Sequence, residues 1–365
     1  MSESENIVYA VTSFVREHNS VLFGGESMKR IAIIVLALMM LVGCTPQKQR
    51  FSAINIDCFD TVTQIIAYTT TKSEFDELEN LVFSELERYH KLFDAYNSHE
   101  GVNNIKTINE KAANEPVKVD PELFELLQFS KQLFEKTDGR LNVFLGAVLQ
   151  VWHEHRENSL SGGTTTVPSR DELSEKGVYA LSDNVILDQE NLTVFFTTPE
   201  VQLDVGAVAK GFVADKIAEL LREKGYDSVA ISLGGNVITI GKRADGKEWS
   251  IGIQDPFDTN GTVESVKLLD TSLVTSGDYQ RYYYHEGKKY HHIIDPETLM
   301  PAEYFSSVSI ICESSALADA LSTALFCMSE AEGHSLVSEI GDCEVLWITP
   351  DGEITSTFGF EEFVK

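Results

Sequence analysis

The chain has 365 residues, 43% of them hydrophobic, with 57 acidic against 29 basic residues and a formal charge of −28. That length supports one large domain or two small ones around a substantial core. So acidic a balance argues against a nucleic-acid binder, which needs clustered Lys and Arg, and no 20–50-residue repeat or long low-complexity tract is visible.

Met28–Cys44 reads MKRIAIIVLALMMLVGC: two basic residues, a twelve-residue apolar run (Ile31–Val42), then Gly43 and Cys44. Twelve apolar residues are too few for a permanent membrane-spanning helix and suit a signal-peptide core. The pattern resembles a bacterial lipoprotein signal, in which Cys44 becomes the lipidated first residue; the alternative is a buried amphipathic helix. Residues 1–27 precede that signal and are read as an upstream start, with Met28 the initiator. The expected organisation is a signal peptide over 28–43, a lipid-anchored polar tether over 44–52 and one domain over 53–365, exported and anchored to the cell membrane. Cys58, Cys312, Cys327 and Cys343 are widely separated, with no C-x-x-C, so no zinc or redox motif is indicated and buried free thiols are expected.

Ala53–Thr70 is rich in β-formers and predicts a strand. Phe75, Leu78, Val82, Leu86, Tyr89 and Phe93 fall at three- and four-residue steps, an amphipathic helix, and Pro121–Lys136 repeats the pattern after an Asp-Pro start. Residues 156–176 are polar and Gly/Ser/Thr-rich and predict a surface loop with a helical end. Strand-like runs follow at Val185–Leu187 and Leu192–Thr197. Within 202–243 a strand is expected to end near Leu203. A turn carries Asp204 and Gly206, a helix shows Val213, Ile217, Leu220 and Leu221 on one face, and Gly225 stops it. Ser228–Leu233 and Val237–Ile240 are predicted strands around a Gly234-Gly235-Asn236 turn. The mixture predicts an α+β fold.

Three segments carry chemistry. DVGAVAKG (204–211) sets an acid, two glycines and a lysine around a helix start. That suits a phosphate cradle, although it is neither a P-loop nor G-x-G-x-x-G, and a tight strand-to-helix turn needing small residues explains it equally. Ser314–Ser329 predicts a very apolar helix in which Asp319 and Thr323, four apart, share a face. A buried carboxylate is costly unless paired or on a metal, and carboxylate plus hydroxyl fit Mg²⁺; a bond to a backbone amide or an Arg is the alternative. In the tyrosine-rich stretch 273–296, His291 and His292 should point to opposite faces of a strand, which disfavours a joint metal site. One faces the core or a site and the other faces out.

The ordered motifs FDT (59–61), FDAY (93–96), TDGRLNVF (137–144), DVGAVAKG (204–211), LGGN (233–236), TSGDY (275–279), HIIDP (292–296) and ADALSTAL (318–325) together resemble the ApbE-type FAD:protein FMN transferases over about residues 51–350. The resemblance implies a single flavin-transferase domain, T-fold-like, with mixed helices and a mainly antiparallel sheet. It implies FAD in a cleft, Mg²⁺ on its pyrophosphate, and transfer of FMN to a Thr or Ser hydroxyl of a partner flavoprotein with release of AMP. It places Asp319, Thr323 and the backbone carbonyl of Ala207 at the metal. It places Asp204, Lys210, Phe59, Tyr96, Leu141, Asn142 and Ile294 at FAD, with Gly234, Gly235, Asn236, Ser276 and Gly277 beside the nucleotide. His292 is the residue that helps to activate the acceptor hydroxyl, with Asp319 the other catalytic position. The expected acceptors are flavoproteins of extracytoplasmic electron-transfer chains. An FAD pyrophosphatase and a non-catalytic flavin-binding lipoprotein are the alternative functions. The chain departs from the family pattern at Phe59-Asp60-Thr61 (commonly Met-Gly-Thr), at Arg140-Leu141-Asn142 (commonly Ala-Phe-Asp) and at Leu299, where a glycine is common.

Overall fold

The computed structural model describes residues 47–258 and 260–364. Its spine is an antiparallel sheet of eight strands whose spatial order is also their order in the chain. They are β1 (Gln49–Asn55), β2 (Thr63–Thr69), β3 (Ser228–Leu233), β4 (Asn236–Gly241), β5 (Ser272–Gly277), β6 (Ser307–Cys312), β7 (Cys343–Ile348) and β8 (Ile354–Ser356). Helices and small hairpins are inserted between these strands, which gives the α+β class with a mainly antiparallel sheet.

Alternation along the central strands assigns the two faces. Val308, Ile310, Val345 and Trp347 join the large core under the helices, whereas Ile311, Leu346 and Ile348 join a second cluster with Ile253, Val266, Leu268 and Phe360. The hairpin Trp249–Gln254/Thr262–Leu268 and the C-terminal segment supply that second cover. On the other face the Ala209–Glu223 helix and the Ser315–Phe326 helix pack against each other and against the sheet. Leu321, Leu325 and Phe326 are wholly buried there. Each such side chain is worth roughly 1.5–3 kcal/mol of transfer free energy.

The Ser315–Phe326 helix begins on a double cap. Ser314 Oγ accepts the Leu317 N–H, and the Asp215 carboxylate accepts from Ser314 Oγ (2.8 Å) and the N–H groups of Ser315 (2.8 Å) and Ala316 (2.9 Å). A carboxylate at a helix N-terminus meets both the free amides and the positive end of the dipole.

Several expectations change. The predicted strand 53–70 is two strands, because Phe59 and Asp60 both adopt positive φ (57° and 48°) and reverse the chain. β1 already begins at Gln49, so Gln49–Ser52, assigned to the tether, pair with Thr69–Ile66 in the sheet. Near Leu203 only an isolated bridge, Leu145 to Gln202, forms. The loop expected from 156 starts later, since a helix spans Gly146–Leu160 and another Arg170–Gly177. Pro121–Lys136 is a helix with those bounds, capped by Asp120, and Ser228–Leu233 is a strand. Cys58, Cys312, Cys327 and Cys343 are buried free thiols. Residues 1–27, the signal-like segment 28–43 and Cys44 lie outside the described residues. Among the described residues no helix is long and apolar enough to cross a membrane.

Candidate active site

The start of the Ala209–Glu223 helix, the exposed side of the Ser315–Phe326 helix, the β3–β4 turn and the Tyr282–His285/Lys288–His291 hairpin surround one cleft of about 690 Å³. A cleft of that size is typical for a small-molecule ligand.

Asp319 is its most constrained group. It is 3% exposed, yet Oδ2 accepts the Gly211 N–H at 2.8 Å and Oδ1 lies 3.5 Å from Lys210 Nζ. The two glycines of DVGAVAKG divide the labour. A Cβ at Gly211 would stand 2.2 Å from the Ser315 carbonyl oxygen and 2.6 Å from Asp319 Cβ, so the bare α-carbon lets the helices close and the amide reach the carboxylate. Gly206 leaves its N–H to Asp204 Oδ1 (2.8 Å) and its carbonyl to Lys210 Nζ (3.3 Å). The tight turn and the ligand-facing cradle are thus the same object. Thr323 lines the cleft one helical turn from Asp319, and its hydroxyl has no protein partner among the described residues. Ser322 ties this helix to β5: its Oγ donates to the Asp319 carbonyl (2.8 Å) and pairs with Ser276 Oγ (2.8 Å).

Gly234 holds the opposite wall. Its φ is +58°, its N–H donates to the Val62 carbonyl, and a Cβ there would meet Thr61 Oγ1 at 1.9 Å. The LGGN and FDT motifs are therefore two halves of one contact. Gly235 (φ +103°) and Asn236 follow along the lining, and Asn236 Nδ2 is buried without a partner.

His292 is half-buried in the bend that follows the Lys288–His291 strand, its backbone N–H donating to the Arg281 carbonyl (3.0 Å) and its Nδ1 unpaired. Desolvation, then the charges of Arg281, His291, Lys210 and Arg156, press its pKa down to about 3, so the ring is neutral. His291 does not face out as one of the pair was expected to. It is buried, its Nε2 lies 2.8 Å from the Ala302 carbonyl oxygen and its ring meets Phe326 edge-on at 5.7 Å. The hairpin lies against the body of the protein, so neither ring points to solvent.

Tyr96, Asn142, Asp204, Ala207, Lys210, Gly234, Gly235, Asn236, Ser276, Gly277, His292, Ile294, Asp319 and Thr323 all line the cleft. Phe59 and Leu141 do not. The positive-φ turn sends Asp60, Thr61 and Val62 to the cleft and leaves the Phe59 ring edge-on to His90, 5.6 Å away. Leu141 is wholly buried, while its neighbours Arg140 and Asn142 reach the lining. Asn142 already spends its amide within the fold, on the Ala180 carbonyl and the Phe144 N–H. Tyr96 OH lies 3.4 Å from Asp204 Oδ2, and burial followed by that carboxylate pushes its pKa up.

Sequence reasoning missed the aromatic wall and the added cations. Trp152 stacks on Tyr290 (5.9 Å, 24°) and Tyr290 on Tyr283 (5.6 Å, 23°), and all three line the cleft. Arg140, Arg156 and Arg281 join Lys210 in the lining of a strongly acidic chain, which concentrates positive charge at one place. Arg140 is ion-paired with Asp295 (3.2 Å) and Glu297 (2.6 Å), so Asp295 organises the Asp-Pro turn.

A protein named FAD:protein FMN transferase from Treponema pallidum (strain Nichols) is 35% identical over 278 residues, 72% of this chain and 75% of that one. Another of that name from Klebsiella pneumoniae (strain 342) is 30% identical over 288 residues, 77% and 85%. The crystal structure of the ApbE protein from Thermotoga maritima superposes with a TM-score of 0.76 at 28% identity, covering 87% of this chain and all of that one. The ApbE family pattern matches residues 59–347, which takes in the whole cleft from the FDT turn to the Asp319 helix, and the chain belongs to the ApbE family.

Proposed function

We propose that this protein cleaves FAD at its pyrophosphate and transfers FMN to a Thr or Ser hydroxyl of a partner flavoprotein, releasing AMP. The observation that carries this reading is the convergence of Asp319, Thr323, Ala207, Lys210 and the unpaired His292 Nδ1 on one cleft. The relatives named FAD:protein FMN transferase support it.

The donor set suits a hard cation. A carboxylate whose Oδ1 has Lys210 only at 3.5 Å, a hydroxyl without a protein partner among the described residues and the Ala207 backbone carbonyl are all oxygen donors. Mg²⁺ bound by Asp319, Thr323 and the Ala207 carbonyl would polarise the phosphoryl oxygens and neutralise charge on the departing AMP. Lys210, Arg156 and Arg281 attract and orient the diphosphate, because phosphoryl transfer depends on positioning and charge neutralisation. The Trp152–Tyr290 stack offers an apolar face to a planar ring.

His292 supplies the base. Its neutral ring accepts the proton of the acceptor hydroxyl as that oxygen bonds to the FMN phosphorus and the bond to the AMP oxygen breaks. Burial is the first cause that depresses its basicity; the cations Arg281, Lys210 and Arg156 add to it, and a bound diphosphate would offset that added share.

The Met28–Cys44 pattern supports export and anchoring through lipidated Cys44, so the acceptors are flavoproteins of extracytoplasmic electron-transfer chains. Incubating the purified protein with FAD, Mg²⁺ and an acceptor domain tests the activity. A covalent FMN adduct is expected; AMP without adduct marks a pyrophosphatase, and intact bound FAD marks a binding protein.

A further inference from the structure

We propose that Arg281 is a positioning residue that clasps the β1–β2 turn to His292, just past the Lys288–His291 strand, holding the cleft in the shape that binds the flavin nucleotide. The inference rests on the reading of the cleft as an FAD site.

The turn is one that its sequence disfavours. Thr61 N–H donates to the Cys58 carbonyl (3.3 Å), and both central residues, Phe59 and Asp60, have positive φ. That pattern belongs to a type I′ turn, dominated by Gly, Asn and Asp; Asp60 tolerates the left-handed region better than most residues that carry a Cβ, whereas the bulky Phe59 resists it. Such a turn persists only where its surroundings over-determine it. Here Phe59 N–H donates to His90 Nδ1 (3.3 Å), and Gly234 N–H donates to the Val62 carbonyl (3.1 Å) from below. Arg281 Nη2 donates to the carbonyls of Asp60 (3.1 Å) and Phe59 (3.4 Å), the two residues at positive φ.

Arg281 reaches the turn from the other wall. Its own carbonyl accepts the His292 N–H at 3.0 Å, so a single residue spans from the base to Phe59 and Asp60. No carboxylate lies within 4.0 Å of its guanidinium among the described residues, so an ion pair does not compete for these bonds. Both bonds come from one nitrogen, Nη2, at the far end of the guanidinium, a reach that the shorter lysine stem does not match.

The account separates from a simple charge effect on phosphate by whether the turn's own strain matters. FAD affinity, and KM against kcat for transfer, are to be measured for wild type, R281A, R281K, D60G, D60A and the doubles R281A/D60G and R281A/D60A. R281A is expected to raise KM for FAD about tenfold with a smaller loss in kcat, and R281K to recover little. In the R281A background, D60G restores the part of the affinity lost with the turn's shape, because glycine adopts positive φ without support, while D60A, which removes the same carboxylate but keeps a Cβ, does not. Equal affinity of the two doubles, or full affinity in R281K, overturns the clasp while leaving the FAD site standing. If R281A does not fold, R281K and the two Asp60 variants in its background give the same comparison. A wild-type protein that binds no FAD overturns the nucleotide reading and this inference together.

Discussion

The Gly211 amide donates to the Asp319 carboxylate at 2.8 Å, and the same glycine leaves no room for a methyl group, whose carbon would stand 2.6 Å from Asp319 Cβ. Helix packing and placement of the buried acid are one contact. Gly211→Ala is therefore expected to cost about 1–3 kcal/mol of stability and to abolish transfer by moving Asp319. Asp319→Asn preserves the shape and a hydrogen-bond acceptor for Gly211, so its melting curve stays near wild type while activity falls about 10²-fold or more. Thermal melts beside AMP-release assays check the pair; an active Asp319→Asn would refute the ligand assignment.

Asp215 stands at the start of the same helix, where its half-buried carboxylate takes three hydrogen bonds from Ser314, Ser315 and Ala316. Desolvation raises its pKa despite those bonds, which marks the depth of the group. Asp215→Ala strands two amides and a hydroxyl, and a loss of about 2–4 kcal/mol is expected from denaturant unfolding. A loss below ~0.5 kcal/mol, the scale of an ordinary surface substitution, would contradict the cap.

His292 should make stability fall in acid. Its folded-state pKa of about 3 lies below the unfolded value near 6.5, so its contribution is complete above that upper value and is lost as pH falls toward the lower one. His292→Gln removes this dependence while His291 remains in both proteins. The difference in urea midpoint between wild type and variant should therefore shrink or reverse as pH drops from about 7 to about 4. Parallel pH curves would show that the ring titrates normally.

Local periodicity made four of the helices legible, with the strands Ser228–Leu233 and Asn236–Gly241, while the inner strands Ser307–Cys312 and Cys343–Ile348 went unread. Pro121–Lys136 carries its own cap, and Ser228–Leu233 its own turn. Missed features depend on distant partners. Nothing in Phe59-Asp60 announces positive φ, because the support comes from Arg281, over two hundred residues away in the chain. The Gly146–Leu160 helix went unread because Val148, Val151 and Trp152 give it a buried apolar face only over its first turns. Arg281 was one cation in a run of tyrosines until the hairpin placed it over the cleft. His291 was expected to turn outward from strand alternation alone, which does not reveal that Phe326 and Ala302 cover that side. Motif order sufficed to gather most of the site, since Gly234 and Thr61, or Gly211 and Asp319, are residue types that only contact with each other explains.

The lipoprotein reading rests on Met28–Cys44 and is separable from the chemistry. Cys44→Ala is expected to move the protein from the membrane to the soluble fraction, with transfer activity in detergent-free assay unchanged. Retention at the membrane would contradict lipidation at that residue.

The most direct measurement is intact-mass analysis of a candidate acceptor domain after incubation with FAD, Mg²⁺ and this protein, run beside Asp319→Asn and a chelator control. The account predicts an acceptor heavier by one FMN moiety, with AMP formed in equal amount, and neither product in the two controls. AMP release without adduct across several acceptors, or adduct formation undiminished in Asp319→Asn, would contradict it.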